Sequence, residues 1–391
     1  MTHPLRRPPP GALTGAASPL LDVLGASWTL DAPVIGVAWD GDLAGFALGD
    51  GSLAMGRADW QGSPQLEPVE GGMRLIPAAR PPPPVTRLRV HQGACLSIAR
   101  HPSGGFLSGG EDGLLAATNA EGIVSVLASH PGRCVDLVAS GAAGWSAAAS
   151  GRQVEIGGIA THALELPASA AALAFDAVGS RLAVAHDRGV SVWTPDAPVR
   201  VLPTPGCPIS VAWSPGGDTL VCGLQENALH GWRLSDAGDI EIGGCPGQPR
   251  SLSFAADLRL LAISGAPRVV CLGFDRWGLD PAGAGAPPVE CGLPSSRLPV
   301  CQVACHPTYP LIAAGYHNGA VLLCQPGSED VLFVKASGGG SVTALAWSPP
   351  DGGRLALATQ GGEVALVPLP GLLFRFNPAP QGIPAPQGIA P

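Results

Sequence analysis

The chain has 391 residues, a formal net charge of −8 and only 13% charged residues, together with 55 glycines and 42 prolines. The acidic balance and the lack of a basic stripe argue against a nucleic-acid partner, because phosphate contacts require clustered Lys and Arg. No segment reaches the 18 or more uninterrupted apolar residues of a membrane span, so no membrane partner is expected. Many turn-forming residues and few charges favour short strands over long helices.

Residues 1–27 predict a disordered or loosely packed N-terminal segment. Pro8–Pro10 and Asp22 interrupt its apolar residues, which argues against an export signal. The ten cysteines are scattered without short paired spacing, as expected of buried thiols in a reducing compartment rather than of a disulfide framework. We therefore expect a cytoplasmic protein.

From residue 34 onwards the chain repeats one unit, in which a short strand ends at an anchor residue and a tight turn follows 11 to 14 residues later. Turns such as Asp112-Gly113 and Asn318-Gly319 suit two-residue hairpins, because both central positions need a positive φ. Four strands in every forty or so residues predict one closed, all-β propeller with eight four-stranded antiparallel blades, with seven as the alternative. Ser27–Ala32 is expected to supply the outer strand of the last blade, which would close the ring. The anchors are Trp39, Arg100, Ala139, Phe175, Trp213, Phe254, Cys305 and Trp347.

Residues 28–370 resemble the WD40-repeat (G-protein beta-like) propeller family, as a degenerate, bacterial-type member. The resemblance is carried by the turn aspartates Asp50, Asp112 and Asp187, by Trp193 and Trp232 in third strands, and by Ser-Pro or His-Pro after first strands, at Ser214, Ser348, His101 and His306. The chain departs from the family because no Gly-His is recognised before the first strands and most third strands lack Trp-Asp. These departures argue against the family's buried Asp-His-Ser-Trp hydrogen-bond network in the blades, so packing would have to supply the missing rigidity.

Three segments depart from the repeat. Residues 57–88 and 275–288 form long loops between third and fourth strands, and the family pattern implies that both lie on one face of the ring. Each carries a tryptophan, Trp60 or Trp277, which either anchors a partner or folds back over its own blade. Residues 371–391 form a Pro-rich segment that is expected to be a disordered tail.

No cofactor and no catalytic residue is predicted, since the chain lacks a nucleophile elbow, a phosphate loop and a His-Glu-x-x-His motif. Four cysteines lie shortly before anchors, near one channel mouth, but side chains on different blades cannot easily converge on one zinc ion. Two alternatives stay open, namely a metal-dependent hydrolase and a metal-binding accessory protein that uses Cys and His at the mouth. The cysteines are Cys95, Cys134, Cys207 and Cys301.

The resemblance implies a non-catalytic interaction platform, a monomeric propeller that binds a protein or peptide through its loop faces. The hairpin turns and the segments that enter the first strands share one face, and their mixed charges suit a protein better than a polyanion. The predicted partner-binding residues are Arg133, Arg152, Arg188, Arg250, Arg297 and His317, with Trp60 and Trp277 on the long loops.

Overall fold

Each repeat forms one four-stranded antiparallel sheet in a computed structural model that describes residues 18–69, 72–236, 238–255, 260–273, 288–293 and 297–371. The first strand of every sheet contacts the first strands of the two neighbouring sheets, and the last contacts the first, so the eight sheets close into a ring. The chain is therefore an eight-bladed β-propeller, as the sequence predicts, and the seven-bladed alternative is wrong.

A short helix and one strand precede the first complete blade: α1 (Leu20–Leu24) and β1 (Ala26–Thr29). In chain order the strands of blades 1 to 4 are β2 (Val34–Asp40), β3 (Leu43–Leu48), β4 (Ser52–Arg57) and β7 (Thr86–Arg89); β8 (Cys95–Arg100), β9 (Phe106–Gly110), β10 (Leu114–Thr118) and β11 (Val124–Ser129); β12 (Leu137–Ser140), β13 (Ser146–Ser150), β14 (Gln153–Gly157) and β15 (His162–Glu165); and β16 (Ala170–Phe175), β17 (Leu182–His186), β18 (Gly189–Thr194) and β19 (Ala197–Leu202). A separate hairpin, β5 (Gln65–Val69) and β6 (Gly72–Ile76), lies in the loop of blade 1.

Blades 5 to 8 repeat the same order. Their strands are β20 (Pro208–Trp213), β21 (Thr219–Leu224), β22 (Ala228–Arg233) and β23 (Gly238–Ile242); β24 (Leu252–Ala255), β25 (Leu260–Ile263), β26 (Val269–Gly273) and β27 (Val289–Cys291); β28 (Val300–Cys305), β29 (Ile312–Tyr316), β30 (Val321–Cys324) and β31 (Val331–Lys335); and β32 (Val342–Trp347), β33 (Arg354–Thr359) and β34 (Glu363–Pro368), with β1 as the fourth strand of blade 8.

The N-terminal strand closes the ring. Strand β1 pairs antiparallel with β34, with Trp28 opposite Val364, so the two ends of the propeller belong to one sheet. The expected boundary at residue 28 falls inside this strand. Residues 20–27 are packed rather than loose, because Leu21 and Leu24 of α1 are buried and the helix contacts β31 and β34. Residues 1–17 and 372–391, where the remaining terminal predictions fall, lie outside the described residues.

The core lies between blades rather than within them. The described residues form eight buried hydrophobic clusters, and each spans two neighbouring blades. Second strands such as β3 and β21 are buried at every position because both of their faces pack against another blade. Each blade thus covers the apolar faces of its two neighbours, and a blade alone would expose both of its own.

Three anchor tryptophans also fasten neighbouring blades by hydrogen bonds. Each indole N–H donates to a main-chain carbonyl of the preceding blade, and the acceptor always stands one residue before that blade's own anchor. The indole hydrogen bond therefore recurs at the same level along the ring axis, at the end of the first, innermost strand of each of these blades. The donor and acceptor pairs are Trp39 with Ala346 at 3.0 Å, Trp213 with Ala174 at 2.9 Å and Trp347 with Ala304 at 2.9 Å.

Ring closure predicts a sharp difference between two adjacent positions of β1. Ala26 is 2% exposed and Ser27 is exposed. We expect Ala26→Asp to lower the free energy of unfolding by about 3 kcal/mol, because it buries a carboxylate without a partner, and Ser27→Asp to change it by less than about 0.5 kcal/mol. Urea unfolding measures both, and equal effects would show that β1 does not pack in the last blade.

The indole bonds predict that Trp213→Phe lowers the free energy of unfolding by about 2 kcal/mol, since the Ala174 carbonyl loses its donor and a small cavity forms. Trp60→Phe is the matched control, because the Trp60 indole also donates to a carbonyl, that of Arg80, but within one loop rather than between blades. Its expected cost is below about 1 kcal/mol. Similar losses for both variants would contradict a special role of the contact between blades.

Candidate functional site

Six of the eight predicted partner-binding residues lie on one face of the ring, which we call the hairpin-turn face. It consists of the turns between second and third strands and of the connections that lead from one blade to the next. Three of the six residues lie in turns and three in connections. Those in turns are Arg152, Arg188 and His317, and those in connections are Arg133, Arg250 and Arg297; all six are exposed.

The two tryptophans do not belong to this face. Trp60 lies in the loop between β4 and β7, the third and fourth strands of blade 1, so it is on the opposite face. Its side chain is half-buried, and its indole N–H donates to the carbonyl of Arg80 in the same loop at 3.0 Å. Trp277 and nearly all of the sixth-blade loop at 275–288 lie outside the described residues.

Blade 2 contains a buried polar network that the sequence reading missed. His91 stands in the connection before β8, its Nδ1 lies 3.0 Å from Oδ1 of Asp112, and its Nε2 lies 2.9 Å from Oγ of Ser108. An ionised carboxylate only accepts, so Nδ1 carries the hydrogen and Nε2 accepts from the serine hydroxyl. The expectation that the blades lack a buried network of Asp, His and Ser is therefore wrong in this blade, although Val90 rather than glycine precedes the histidine. The network lacks its tryptophan, since Thr118 ends the third strand.

Tight packing holds this network in place. A Cβ atom on Gly110 would lie 2.3 Å from Nδ1 of His91, so glycine is required beside the ring. Burial acts to raise the pKa of Asp112, but hydrogen bonds from the Gln92 and Leu114 amides and from His91 outweigh it and hold that pKa below its ordinary value of 3.8. The carboxylate is thus ionised and structural, and it fastens the turn of blade 2 to the connection that precedes its first strand.

The chain's single lysine also serves the structure. Lys335 is 4% exposed, and its Nζ donates to the carbonyls of Gly319, Ala336 and Gly338 at 3.2, 3.1 and 3.0 Å. Nζ also lies 3.0 Å from Oε2 of Glu363, the first residue of β34 in blade 8. A buried ammonium group with four oxygen partners is satisfied, so it ties blade 7 to blade 8 and is not available to a partner.

The first strands are irregular where they reach the hairpin-turn face. In six blades the pairing of the first and second strands skips one residue near the start of the first strand, which is a β-bulge. A bulge changes the direction of a side chain, and three of the skipped residues line a cavity at the mouth of the ring. They are Ile35, Cys301 and Thr343.

This mouth cavity has a volume of about 550 Å³ and combines apolar and polar groups. Ile35 is 41% exposed beside it, and Arg250 and His317 stand at its rim. Ser341 Oγ lies 3.0 Å from Nδ1 of His317, and Nη2 of Arg250 donates to Oε1 of Gln248 at 2.5 Å. Both rim side chains are therefore oriented by neutral partners, which leave the positive charge of Arg250 uncompensated.

Arginine ion pairs occur on both faces of the ring; on the hairpin-turn face Arg87 binds Asp50, Arg152 binds Glu165 and Arg268 binds Glu290. On the face opposite the hairpin turns, three arginines in blades 2, 4 and 8 bind carboxylates near the turns between first and second strands: Arg100 with Asp40 at 2.8 Å, Arg181 with Asp176 at 2.7 Å, and Arg354 with Asp42 at 2.5 Å. On the hairpin-turn face, four arginines have no carboxylate partner within the described ranges. They are Arg133, Arg188, Arg250 and Arg297.

The cysteines do not assemble a metal centre in the part of the chain that the structure describes, where no group of three or more His, Cys, Asp or Glu side chains has the arrangement to hold an ion. Cys95 is buried, and burial raises its pKa to about 12. Cys134, Cys207 and Cys301 are half-buried and lie on separate blades. His306, which precedes a proline, bridges to blade 8, with Nε2 3.1 Å from the carbonyl of Gly352.

Comparison with known proteins gives the family of the blade that contains the network. The family model "WD domain, G-beta repeat" matches residues 82–116, which include His91, Ser108 and Asp112. Blade 2 therefore contains a WD40 repeat, and the chain as a whole is an eight-bladed β-propeller. The matched repeat is the blade that keeps three of the four polar residues of the network.

The propeller is similar in structure to several solved proteins. It matches Sqt1 from Chaetomium thermophilum with a TM-score of 0.63 and 14% identity, over 89% of this chain and 98% of that chain. Sqt1 from Saccharomyces cerevisiae gives 0.65 and 11%, over 88% and 98%. The computationally designed protein Ika8 gives 0.63 and 13%, over 87% and 97%. Identities this low show a common fold alone.

No curated protein matches the sequence of this chain. Among its described residues, no helix has the length and apolar character needed to cross a membrane.

Of the residues at the mouth, the sequence predicted Arg250 and His317 as partner-binding residues and placed Cys301 near the channel mouth, but it did not single out Ile35, Thr343 or Gln248. Ile35, Cys301 and Thr343 each stand four residues before an anchor, so the repeat itself marks the position. Gln248 carries no such mark, because connections between blades vary in length and follow no pattern.

The network predicts a pH effect. The folded-state pKa of Asp112 lies below its unfolded-state value. The stabilisation that the Asp112 carboxylate adds to the free energy of unfolding is therefore complete above pH 4, and it disappears as the pH falls through the folded-state pKa. We expect Asp112→Asn to lower the free energy of unfolding by about 2 kcal/mol at pH 7, with a smaller difference from wild type near pH 3. Urea unfolding from pH 3 to 7 measures this.

Asp187→Asn is the control for that experiment, since Asp187 is an exposed turn residue whose carboxylate has no hydrogen-bond partner among the described residues. It should leave the curve unchanged. A constant offset between Asp112→Asn and wild type at all pH values would contradict the ionised network.

Proposed function

We propose that this propeller is a non-catalytic platform that binds a protein or peptide partner on its hairpin-turn face. The observation that carries the proposal is the set of four arginines on that face without a carboxylate partner among the described residues, one of which, Arg250, lines the mouth cavity of about 550 Å³. An arginine with no internal partner contributes little to the fold, whereas on a rigid surface it is well suited to bind an incoming carboxylate or carbonyl group.

The composition of the mouth supports a protein partner. Ile35 offers an apolar contact, His317 and Gln248 offer hydrogen bonds, and Arg250 offers a single positive charge. Protein interfaces combine such a partly apolar centre with polar groups at the rim, and arginine is enriched in them. A polyanion would need a continuous basic surface, and Asp187 and Glu226 also lie in turns of this face.

The rigidity of the ring favours the same function. The buried network of blade 2 and the Lys335 contacts fix turns relative to connections, so little conformational entropy is lost when a partner binds. We further propose that the propeller is monomeric and uses no cofactor. We also propose that it is cytoplasmic, because the unpaired cysteines favour a reducing compartment.

The test is affinity capture of the tagged full chain from its native cytoplasm, with mass spectrometry and metal analysis of the same eluate. We expect a stoichiometric partner with wild type, and a loss of at least about tenfold with Arg250→Glu, because a like charge replaces the interacting guanidinium. Arg57→Glu is the matched control: Arg57 is also exposed, and it lies on the opposite face at the end of β4. It should retain the partner.

Both variants should melt within about 2 °C of wild type, since neither arginine has an ion pair among the described residues. The proposal is wrong if Arg57→Glu loses the partner while Arg250→Glu keeps it. It is also wrong if the eluate carries stoichiometric metal and no protein, which would point to a metal-dependent activity.

A further inference from the structure

Blade 3 departs from its neighbours at the hairpin-turn face. Its turn consists of Gly151 and Arg152 between the paired residues Ser150 and Gln153, whereas the equivalent turn of blade 2 has three residues and carries Asp112. An arginine thus stands where blade 2 has its structural aspartate. The histidine is also used differently: His130 stands four residues before Cys134, as His91 does before Cys95, but its Nε2 lies 3.7 Å from Glu155.

The missing network is replaced by a cleft. It has a volume of about 570 Å³ and is open to solvent between the shortened turn and the connection that leads into β12. Two arginines, two carboxylates and three neutral polar residues line it together with Cys134: Arg133, Arg152, Asp136, Glu165, Ser150, Gln153 and Ser169. The cleft is therefore lined mainly by polar and charged side chains.

One buried group in the cleft lacks a partner. Ser150 is 6% exposed, and its hydroxyl has no hydrogen-bond partner within the described ranges. Leaving a buried hydroxyl unsatisfied is costly, and such groups are uncommon in folded proteins. Ser150 lines the cleft with its Oγ enclosed, so a bound acceptor oxygen would satisfy the hydroxyl after a small local shift of the neighbouring turn.

The two arginines differ in availability. Arg133 donates to the side-chain amide of Gln153, a neutral group that leaves its charge uncompensated. Arg152 lies 3.3 Å from Glu165, but both side chains are more than half exposed, so the pair is weak and readily exchanged. Asp136 is already engaged, since it accepts the Gly151 amide at 3.1 Å.

We infer that this cleft binds a carboxylate side chain of an acidic segment of the partner, with Arg133 as the main cation and Ser150 as a neutral donor. The inference rests on the proposed function, because the segment belongs to the partner of the platform. A carboxylate fits better than a phosphate group, since Asp136 and Glu165 in the cleft repel a dianion more strongly than a monoanion. The carboxylate accepts from the Arg133 guanidinium and the Ser150 hydroxyl.

The test uses three dye-labelled peptides with blocked ends, each with four Gly-X units in which X is Glu, Gln or phosphoserine. Fluorescence anisotropy with the purified full chain should show the Glu peptide binding at least about tenfold more tightly than the Gln peptide, and more tightly than the phosphoserine peptide. Arg133→Gln should weaken the Glu peptide about tenfold, and Ser150→Ala should weaken it a few-fold, both with unchanged melting temperatures.

Arg188→Gln is the matched control, because Arg188 is an exposed arginine on the same face in the neighbouring blade, outside the cleft. It should change the affinity less than about twofold. Equal losses with Arg188→Gln and Arg133→Gln would overturn the inference, since they would mean non-specific attraction to the face. Tighter binding of the phosphoserine peptide, or no binding of the Glu peptide at 1 mM, would overturn it as well.

Partner capture separates this inference from the platform. If Arg250→Glu loses the captured partner while Arg133→Gln binds it as wild type does, the platform stands and the blade 3 inference is wrong. If neither variant affects the partner, the platform proposal is wrong on this face, whatever the peptides show.

Discussion

Ring closure is the constraint on which the rest of the structure depends. Every hydrophobic cluster described lies between two blades, so no blade has a core of its own, and each is covered only because its two neighbours are present. The pairing of β1 with β34 completes the last blade and places both ends of the propeller in one sheet. The anchor indole bonds then fix neighbouring blades at one height, as Trp39 does between blades 1 and 8. A closed ring leaves only short strand edges, which neighbouring blades protect, and holds its turns at fixed positions.

Arginine ion pairs occur on both faces of this ring. On one face, arginines such as Arg354 bind carboxylates and join blades. On the hairpin-turn face the blade 2 network and the Lys335 contacts are buried, Arg152 pairs with Glu165, and four other exposed arginines have no carboxylate partner among the described residues. The four arginines that we propose to bind the partner therefore differ from the groups that stabilise the ring. This separation explains why substitutions such as Arg250→Glu are expected to affect binding without affecting the melting temperature.

The sequence predicts the fold well because the same weak pattern of strands and turns recurs in every unit, and the repeats reinforce one another. The first strands end within one residue of the predicted anchors, and the hairpin turns lie where the turn residues stand. Features that do not belong to the recurring pattern were not predicted. His91 went unrecognised because the residue before it is Val90 rather than glycine, and the bulges that direct Ile35 and Thr343 to the mouth depend on pairing between strands. The blade 3 cleft was missed for a related reason, since Ser150 looks ordinary until burial leaves its hydroxyl without a partner.

The most direct test of the account is hydrogen–deuterium exchange of the full chain with and without its captured partner. Exchange reports protection segment by segment and needs no substitution, so it identifies the binding face independently of any variant. The account predicts added protection in the connections around Arg250 and Arg133 and in the turns around Arg152 and His317, with little change in the loop between β4 and β7. Protection confined to that loop and to the turns between first and second strands would contradict the account, because the partner would then bind the opposite face.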